Sequence, residues 1–261
     1  MGRALYRVAR LLCQGLVYLY LLAPILIVIP VSFSSATYLV FPPRGFSLRW
    51  YANFFSLPEL TDALALSIRL ALSVTVAATT IGTMAAFALV RYRLPCRNAL
   101  RTVLMSPMVM PGVVLGIGFL IFFSRMRAIH TFWSLFLAHL VVTLPYVIRT
   151  VSATLVGFPL VLEEAGASLG ASPLSVFRTI TLPILKPGIL AGAIFAFIVS
   201  FDELVISIFL TGPKLSTLPV QIYNYIEFTS DPTIAAISVI LVLFTVIAVS
   251  LLERFVGFSM V

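Results

Sequence analysis

Residues 164–183 read EAGASLGASPLSVFRTITLP. The stretch is polar and partly charged, and it stands between two long apolar runs. A chain that keeps such a segment between membrane spans presents it to a partner. Its local signals are those of two short helices. Pro159 opens the first, because the N–H that proline lacks is an orphan at a helix start anyway. Glu163 and Glu164 lie early in that helix. Gly170 supplies a backbone free to turn and closes it. Ser172 and Pro173 then form an N-cap and first-turn pair that starts a second helix. Ile180 and Leu182 pack, and Pro183 and Pro187 break the chain before the next apolar run. The expectation is helix, tight turn, helix, lying along a membrane face.

The rest of the chain supplies the membrane. Hydrophobic residues are 61% of its 261 residues and charged residues 10%, against about 45–50% and about 25% in a soluble domain. Six apolar runs reach the length of about 20 residues that a span needs: 11–33, 64–90, 100–123, 133–156, 188–210 and 233–252. The first follows Arg3, Arg7 and Arg10 but is long for a signal peptide core of about 7–15 residues, so it reads as a retained span. The fold class is an all-α polytopic membrane protein with six transmembrane helices. Its expected parts are residues 1–63, a span and periplasmic loop, a membrane core at 64–252, and a short cytoplasmic tail at 253–261.

Orientation follows from the basic residues, which favour the cytoplasmic side. With the N-terminus inside, Arg3, Arg7, Arg10, Arg91, Arg93, Arg97, Arg101, Arg149, Arg178, Lys186 and Arg254 are inside. The outer loops then hold only Arg44, Arg49, Arg125, Arg127 and Lys214. Both termini and residues 157–187 are therefore expected in the cytoplasm, and residues 34–61 and 211–232 outside. The net charge of +8 is explained by this asymmetry. No basic face with interleaved aromatics forms a nucleic-acid site.

The 164–183 stretch resembles the EAA loop of type I ABC importer permeases. That pattern is Glu-Ala-Ala, three free positions, Gly, nine free positions, then Ile-x-Leu-Pro. Glu164, Ala165, Gly170, Ile180, Leu182 and Pro183 fall in register, and Gly166 departs from the preferred Ala. The resemblance implies that the loop docks on an ATPase subunit, with Glu164, Ala165 and Gly170 at the contact. Glu163, Gly166, Ile180, Leu182 and Pro183 complete the coupling set. Gly166 should soften the helix by roughly 1 kcal/mol. An ordinary amphipathic connector would not hold that register.

Other chemistry is disfavoured. Gly166-Ala-Ser168-Leu-Gly170 matches the G-x-S-x-G nucleophile elbow, which needs a preceding strand and a later His. The segment before it reads as helix, and both histidines, His130 and His139, precede Ser168. No Cys, His or carboxylate spacing suits a metal, and Cys13 and Cys96 read as free thiols. Both lysines, Lys186 and Lys214, lack the preceding Gly of a P-loop. The expectation is a transport subunit without an ATPase motif or cofactor, with ATP and Mg2+ on partner subunits.

The substrate clue is Phe201-Asp202-Glu203-Leu204 within the fifth run. Ionisable residues at membrane depth usually face a bundle interior or a water-filled cavity. Phe195, Val199, Asp202 and Ile206 form one approximate helical stripe, and adjacent Asp202 and Glu203 point about 100° apart. Acids with aromatics, Phe195 and Phe201 among them, suit an organic cation. The alternative is a structural carboxylate bridging helices. Residues 201–223, 132–155 and 106–117 further resemble spermidine/putrescine importer permeases, which carry an acidic pair at the place of Asp202 and Glu203. The resemblance covers most of 64–252. It implies a polyamine as solute, while the same subfamily also serves opine-like and amino-acid-derived compounds.

The remaining features are read more simply. Pro107, Pro111 and Gly112 kink or break the third run, as pathway helices or packing kinks do. Gly112, Gly116 and Gly118 favour close helix approach. Arg69 snorkels to the outer interface, and Trp50, Tyr51 and Trp133 fit interfacial anchors. The expected assembly is a bacterial inner-membrane ABC importer. It pairs this chain with a second homologous permease, two ATPase subunits, a periplasmic binding protein and membrane lipid. The rivals are an intramembrane enzyme, for which no catalytic constellation exists, and a passive channel or secondary carrier, which has no use for an EAA loop.

Overall fold

A computed structural model describes residues 2–256. In chain order the helices are α1 (Gly2–Ser32), α2 (Arg49–Ser56), α3 (Pro58–Arg91), α4 (Arg97–Met105), α5 (Gly112–Arg125) and α6 (Phe132–Val156). There follow α7 (Val161–Ser168), α8 (Pro173–Val176), α9 (Leu182–Phe201), α10 (Val205–Leu210), α11 (Leu218–Phe228) and α12 (Thr233–Val256). A 3-10 turn, Ser106–Met108, extends α4, and a π-helical turn, Phe177–Thr181, joins α8 to α9. Among the described residues there is no strand, only a bridge between Gly212 and Leu215.

Four helices are long and apolar enough to cross a membrane: Arg10–Ser32, Pro58–Arg91, Phe132–Val156 and Pro173–Phe201. A fifth crossing is available if Arg97–Met108 and Gly112–Arg125 count as one broken span, bent by 100°. The third apolar run is therefore broken rather than kinked. Pro111 caps α5 in an extended conformation, which ends the preceding turn. The last apolar run lies on α12, whose described apolar part is Thr233–Ile247.

The fifth run differs most from its sequence reading. Its helix starts before residue 188 and stops before residue 210. Pro183 and Pro187 do not break it, because the helix continues from Pro173 through the π turn to Phe201. The Leu182 N–H bonds to the Phe177 carbonyl, five residues back. That wider register accommodates Pro183, which has no N–H to donate. The chain then stops helically at Asp202 and resumes as α10.

The contacts divide the chain into two units, Met1–Thr61 with Ile222–Ile247, and Asp62–Gln221 with Ala248–Val261. In the first, the Trp50 indole N–H donates to the Ser34 carbonyl at 2.8 Å, and the Arg49 guanidinium lies 4.2 Å from the Trp50 ring centroid. Trp50 is buried, so it fixes a loop and is not an interfacial anchor. Tyr51 is tied to Ser32 at 2.7 Å. Trp133, in the second unit, is exposed as an anchor would be.

The second unit is built on α6, which packs along α9. Ala78, Ala86 and Leu89 of α3, Val147, Val151 and Leu155 of α6, and Leu185 and Ala196 of α9 make one core cluster. Leu70, Val74, Phe123, Leu135, Ala138, Ile206 and Leu210 make another. There α10 lies on α5, where Gly116 leaves room for the Phe209 ring. A side chain at Gly116 would collide with that ring, whereas Gly118 faces open space.

Candidate functional site

Two regions of the second unit carry the predicted functional residues. The first is the 158–183 segment. α7 ends in a left-handed Gly170 with φ of 83°. The Gly170 N–H bonds to the Ala167 carbonyl at 2.9 Å and the Ala171 N–H to the Gly166 carbonyl at 3.2 Å, a Schellman closure. Ser172 then caps α8, its hydroxyl accepting from the Ser175 N–H at 3.3 Å. The helix, turn and helix expected from the sequence are all present.

The two glutamates of α7 differ sharply. Glu163 points inward. Its Oε1 accepts from Arg91 Nη2 at 3.2 Å and from the Thr181 hydroxyl at 3.1 Å. Arg91 also donates to the Phe158 carbonyl and lies over the Phe158 ring. Glu163 therefore ties the end of α3 and the π turn to α7. Glu164 is exposed, and its carboxylate has no partner among the described residues. Ala165 and Gly170 are exposed as well, with Leu169 89% and Leu174 58% exposed beside them.

Gly166 is more than a softer Ala. It is buried, and a Cβ there would lie 2.7 Å from Ile180 Cδ1 and 3.3 Å from Val176 Cγ2. The departure from the family pattern thus seats α7 directly on the following segment. Leu182 is half-buried and Pro183 exposed at the start of α9.

The second region is the break between α9 and α10. The helical stripe expected through Phe195, Val199, Asp202 and Ile206 does not continue, because α9 ends at Phe201: Asp202 is exposed and Ile206 buried. Glu203 Oε1 accepts the Ile206 N–H at 3.0 Å and so caps α10. The Asp202 N–H closes α9 on the Ile198 carbonyl at 3.0 Å, and its carboxylate has no hydrogen bond or ion pair among the described residues. Phe195 is exposed and stacks on Tyr146, with ring centroids 6.4 Å apart. Phe201 is buried and stacked on Phe197.

A residue that the sequence did not mark, His139 on α6, holds this break together. It is buried, with Nδ1 3.0 Å from the Ser200 hydroxyl and Nε2 3.0 Å from the Ser207 hydroxyl. The Ser207 hydroxyl donates to the Glu203 carbonyl at 2.6 Å. Having given its one proton there, it accepts from Nε2–H. The imidazole thereby joins the end of α9 to α10. The signal available in the sequence was a lone histidine in an apolar run, which reads as a packing residue. Among the described residues no three His, Cys, Asp or Glu gather as a metal site.

With this geometry in view, residues 78–259 match the family model for the binding-protein-dependent transport system inner membrane component. The chain belongs to that family. It is 34% identical over 245 residues to the spermidine/putrescine transport system permease protein PotC of Escherichia coli (strain K12), covering 93% of this chain and 92% of that one. It is 34% identical over 241 residues to the putrescine transport system permease protein PotI of the same strain, covering 88% and 84%. The fold matches a chain of a bacterial ABC transporter involved in import of the acidic polysaccharide alginate, with TM-score 0.73, 14% identity and coverage of 100% and 98%.

This member of the family is therefore a transport subunit of an ABC importer and not an enzyme, with the ATPase on a separate subunit. An ATPase and a substrate-binding protein are partners of such systems, and its relatives are bacterial inner-membrane permeases.

Proposed function

We propose that this chain forms half of the translocation path for a small organic cation of the polyamine class. The observation that carries the solute class is Asp202, an exposed and unpartnered carboxylate at a helix break in an otherwise apolar run. A charge in that setting is costly unless water or a counter-ion reaches it, and a polyammonium solute supplies the counter-ion. Phe195 and Tyr146 offer aromatic faces in the same bundle for a cation. Kinship to two permeases named for spermidine or putrescine supports the same class.

In this reading the chain has six spans, counting the broken third run and α12, and both termini are cytoplasmic. Residues 64–252 are the permease core, after the first span and outer loop of 1–63 and before the tail of 253–261. The chain pairs with a second, homologous permease and two ATPase subunits that hold ATP and Mg2+. A periplasmic binding protein delivers solute to the outer loops. The 158–183 segment is the coupling loop, with Glu164, Ala165 and Gly170 at the ATPase and the exposed Leu169 and Leu174 beside them. Glu163, Gly166 and Ile180 shape the loop from within, while Leu182 and Pro183 join it to α9.

The deciding experiment is uptake of labelled putrescine and spermidine by cells carrying the whole importer. Asp202→Asn keeps the volume and removes the charge. Uptake should fall by about tenfold, the equivalent of one charge-assisted contact, while complex assembly and basal ATPase stay unchanged. Wild-type uptake in that variant would end the cation argument. Orientation has its own test. Single cysteines at Ser35 and Ser172, in a background lacking Cys13 and Cys96, should label from opposite sides of the membrane. Labelling of both by an impermeant reagent in intact spheroplasts would reverse that assignment.

A further inference from the structure

A cavity of about 500 Å³ opens in the second unit, lined by the last turn of α3, by α4 and by the end of α6. Three arginines line it: Arg97 and Arg101 from α4, and Arg149 from α6. None of their guanidiniums has a carboxylate or hydrogen-bond partner among the described residues, where the one ion pair is Arg91 with Glu163. Arg97 and Arg101 are four residues apart on one helix, a spacing at which like charges repel. They also sit in the first turns of α4, where the helix dipole is positive and disfavours cations. That turn holds no acidic residue, and its N-cap, Cys96, makes no side-chain hydrogen bond. Positive charge has thus been gathered with nothing to balance it.

The other walls are apolar. Leu89, Met105 and Ile148 contribute to them, and Ser152 adds a hydroxyl. A free inorganic anion would use the guanidiniums and leave that apolar lining wet. The position matters too. Leu89 and Val90 stand at the end of α3, where a membrane-crossing helix stops at Arg91. Basic groups gathered at the end of a candidate span are the ones that meet lipid headgroups. We propose that this cavity is a binding site for an anionic phospholipid. Its phosphate sits among Arg97, Arg101 and Arg149, and part of an acyl chain lies along the apolar wall. Basic pockets between spans recognise lipid phosphates through the same charge complementarity, and guanidinium forks suit phosphate oxygens.

The test is native mass spectrometry of the purified, intact importer complex, titrated with phosphatidylglycerol or phosphatidylcholine. Wild-type complex should retain phosphatidylglycerol adducts on the order of tenfold more than phosphatidylcholine adducts. The variant R97Q/R101Q/R149Q should lose that preference. R97K/R101K/R149K keeps the charge, controls for folding, and should retain most of it. Where the triple glutamine variant does not assemble, Arg149→Gln alone should reduce the preference in a complex of normal composition. Equal retention of the two lipids by wild type, or a preference untouched by the glutamine changes, would overturn the proposal. Displacement of the lipid by millimolar inorganic phosphate would reassign the site to a free anion. Loss of an ATPase subunit with an unchanged lipid preference would reassign it to a protein contact.

Discussion

The chain carries two adjacent acid pairs, Glu163-Glu164 and Asp202-Glu203, and the structure treats them as mirror cases. In the first pair the leading carboxylate is held by Arg91 and Thr181, and the trailing one is exposed. In the second the trailing carboxylate caps α10, and the leading one is exposed. Each pair therefore has one member that maintains the local fold and one left open to a partner. The lesson is that neighbouring charges of like sign need not share a role. On α7 the two side chains diverge by about 100°, as helical neighbours do, whereas Asp202 and Glu203 are parted by the break that follows Phe201.

This comparison breaks most readily at Glu163. Removing one member of a largely buried ion pair leaves the other charge uncompensated, at a cost of about 3 kcal/mol or more. Glu163→Ala should therefore lower the thermal stability of the purified complex strongly, while Glu164→Gln leaves it unchanged and weakens only stimulated ATPase. Similar melting of the two variants would erase the distinction. Gly170 comes next. A Cβ there meets open space, but the φ of 83° is left-handed, so a branched residue pays strain of about 1–2 kcal/mol. Gly170→Val should reduce binding-protein-stimulated ATP hydrolysis or loosen the ATPase, while the bundle still inserts. Unchanged assembly and stimulation would remove the turn from the coupling contact.

The smallest effect sharpens the second pair. Glu203→Ala deletes the α10 cap and should cost about 1 kcal/mol. Glu203→Gln keeps an acceptor oxygen and should cost less. Neither should match Asp202→Asn in its effect on uptake. If Glu203→Gln abolished transport at full stability, the roles within the pair would be exchanged.

Much of this was legible beforehand. The apolar runs located the long helices, because burying about 20 apolar residues in lipid leaves little choice of structure. Gly170, Ser172 and Pro173 punctuated the 158–183 segment, because each acts through its own backbone chemistry, whereas Pro159 stands one residue ahead of the α7 N-cap, Leu160, and does not open the helix. The breaks were less legible. Nothing in Phe201-Asp202-Glu203-Leu204 ends a helix by propensity alone. The stop combines a local contact, Glu203 accepting the Ile206 N–H, with a tertiary one, His139 bridging Ser200 and Ser207. Pro183 misled for a related reason: a five-residue hydrogen bond at Leu182 absorbed it. Gly166 read as a weak helix former until Ile180 appeared against it. The geometry of the two glutamates on α7 needed Arg91, 72 residues away in sequence, to be told apart.

The His139 bridge has a kinematic consequence. A helix break looks like a joint, but this one is riveted. Opening it would part the bridge of two hydrogen bonds that ties a buried imidazole to two buried serines, and each buried group left unpaired costs about 1–3 kcal/mol. The end of α9, α10 and the middle of α6 must therefore travel as one bracket. Among the described residues the break between α4 and α5 has no such rivet: Val109 and Met110 are exposed there, and the hydroxyl of Ser106 bonds to Val103 within its own turn. Of the two joints, swivelling belongs to the one at 109–111. Asp202 rides on the bracket, carried at fixed aim wherever α6 and α9 go.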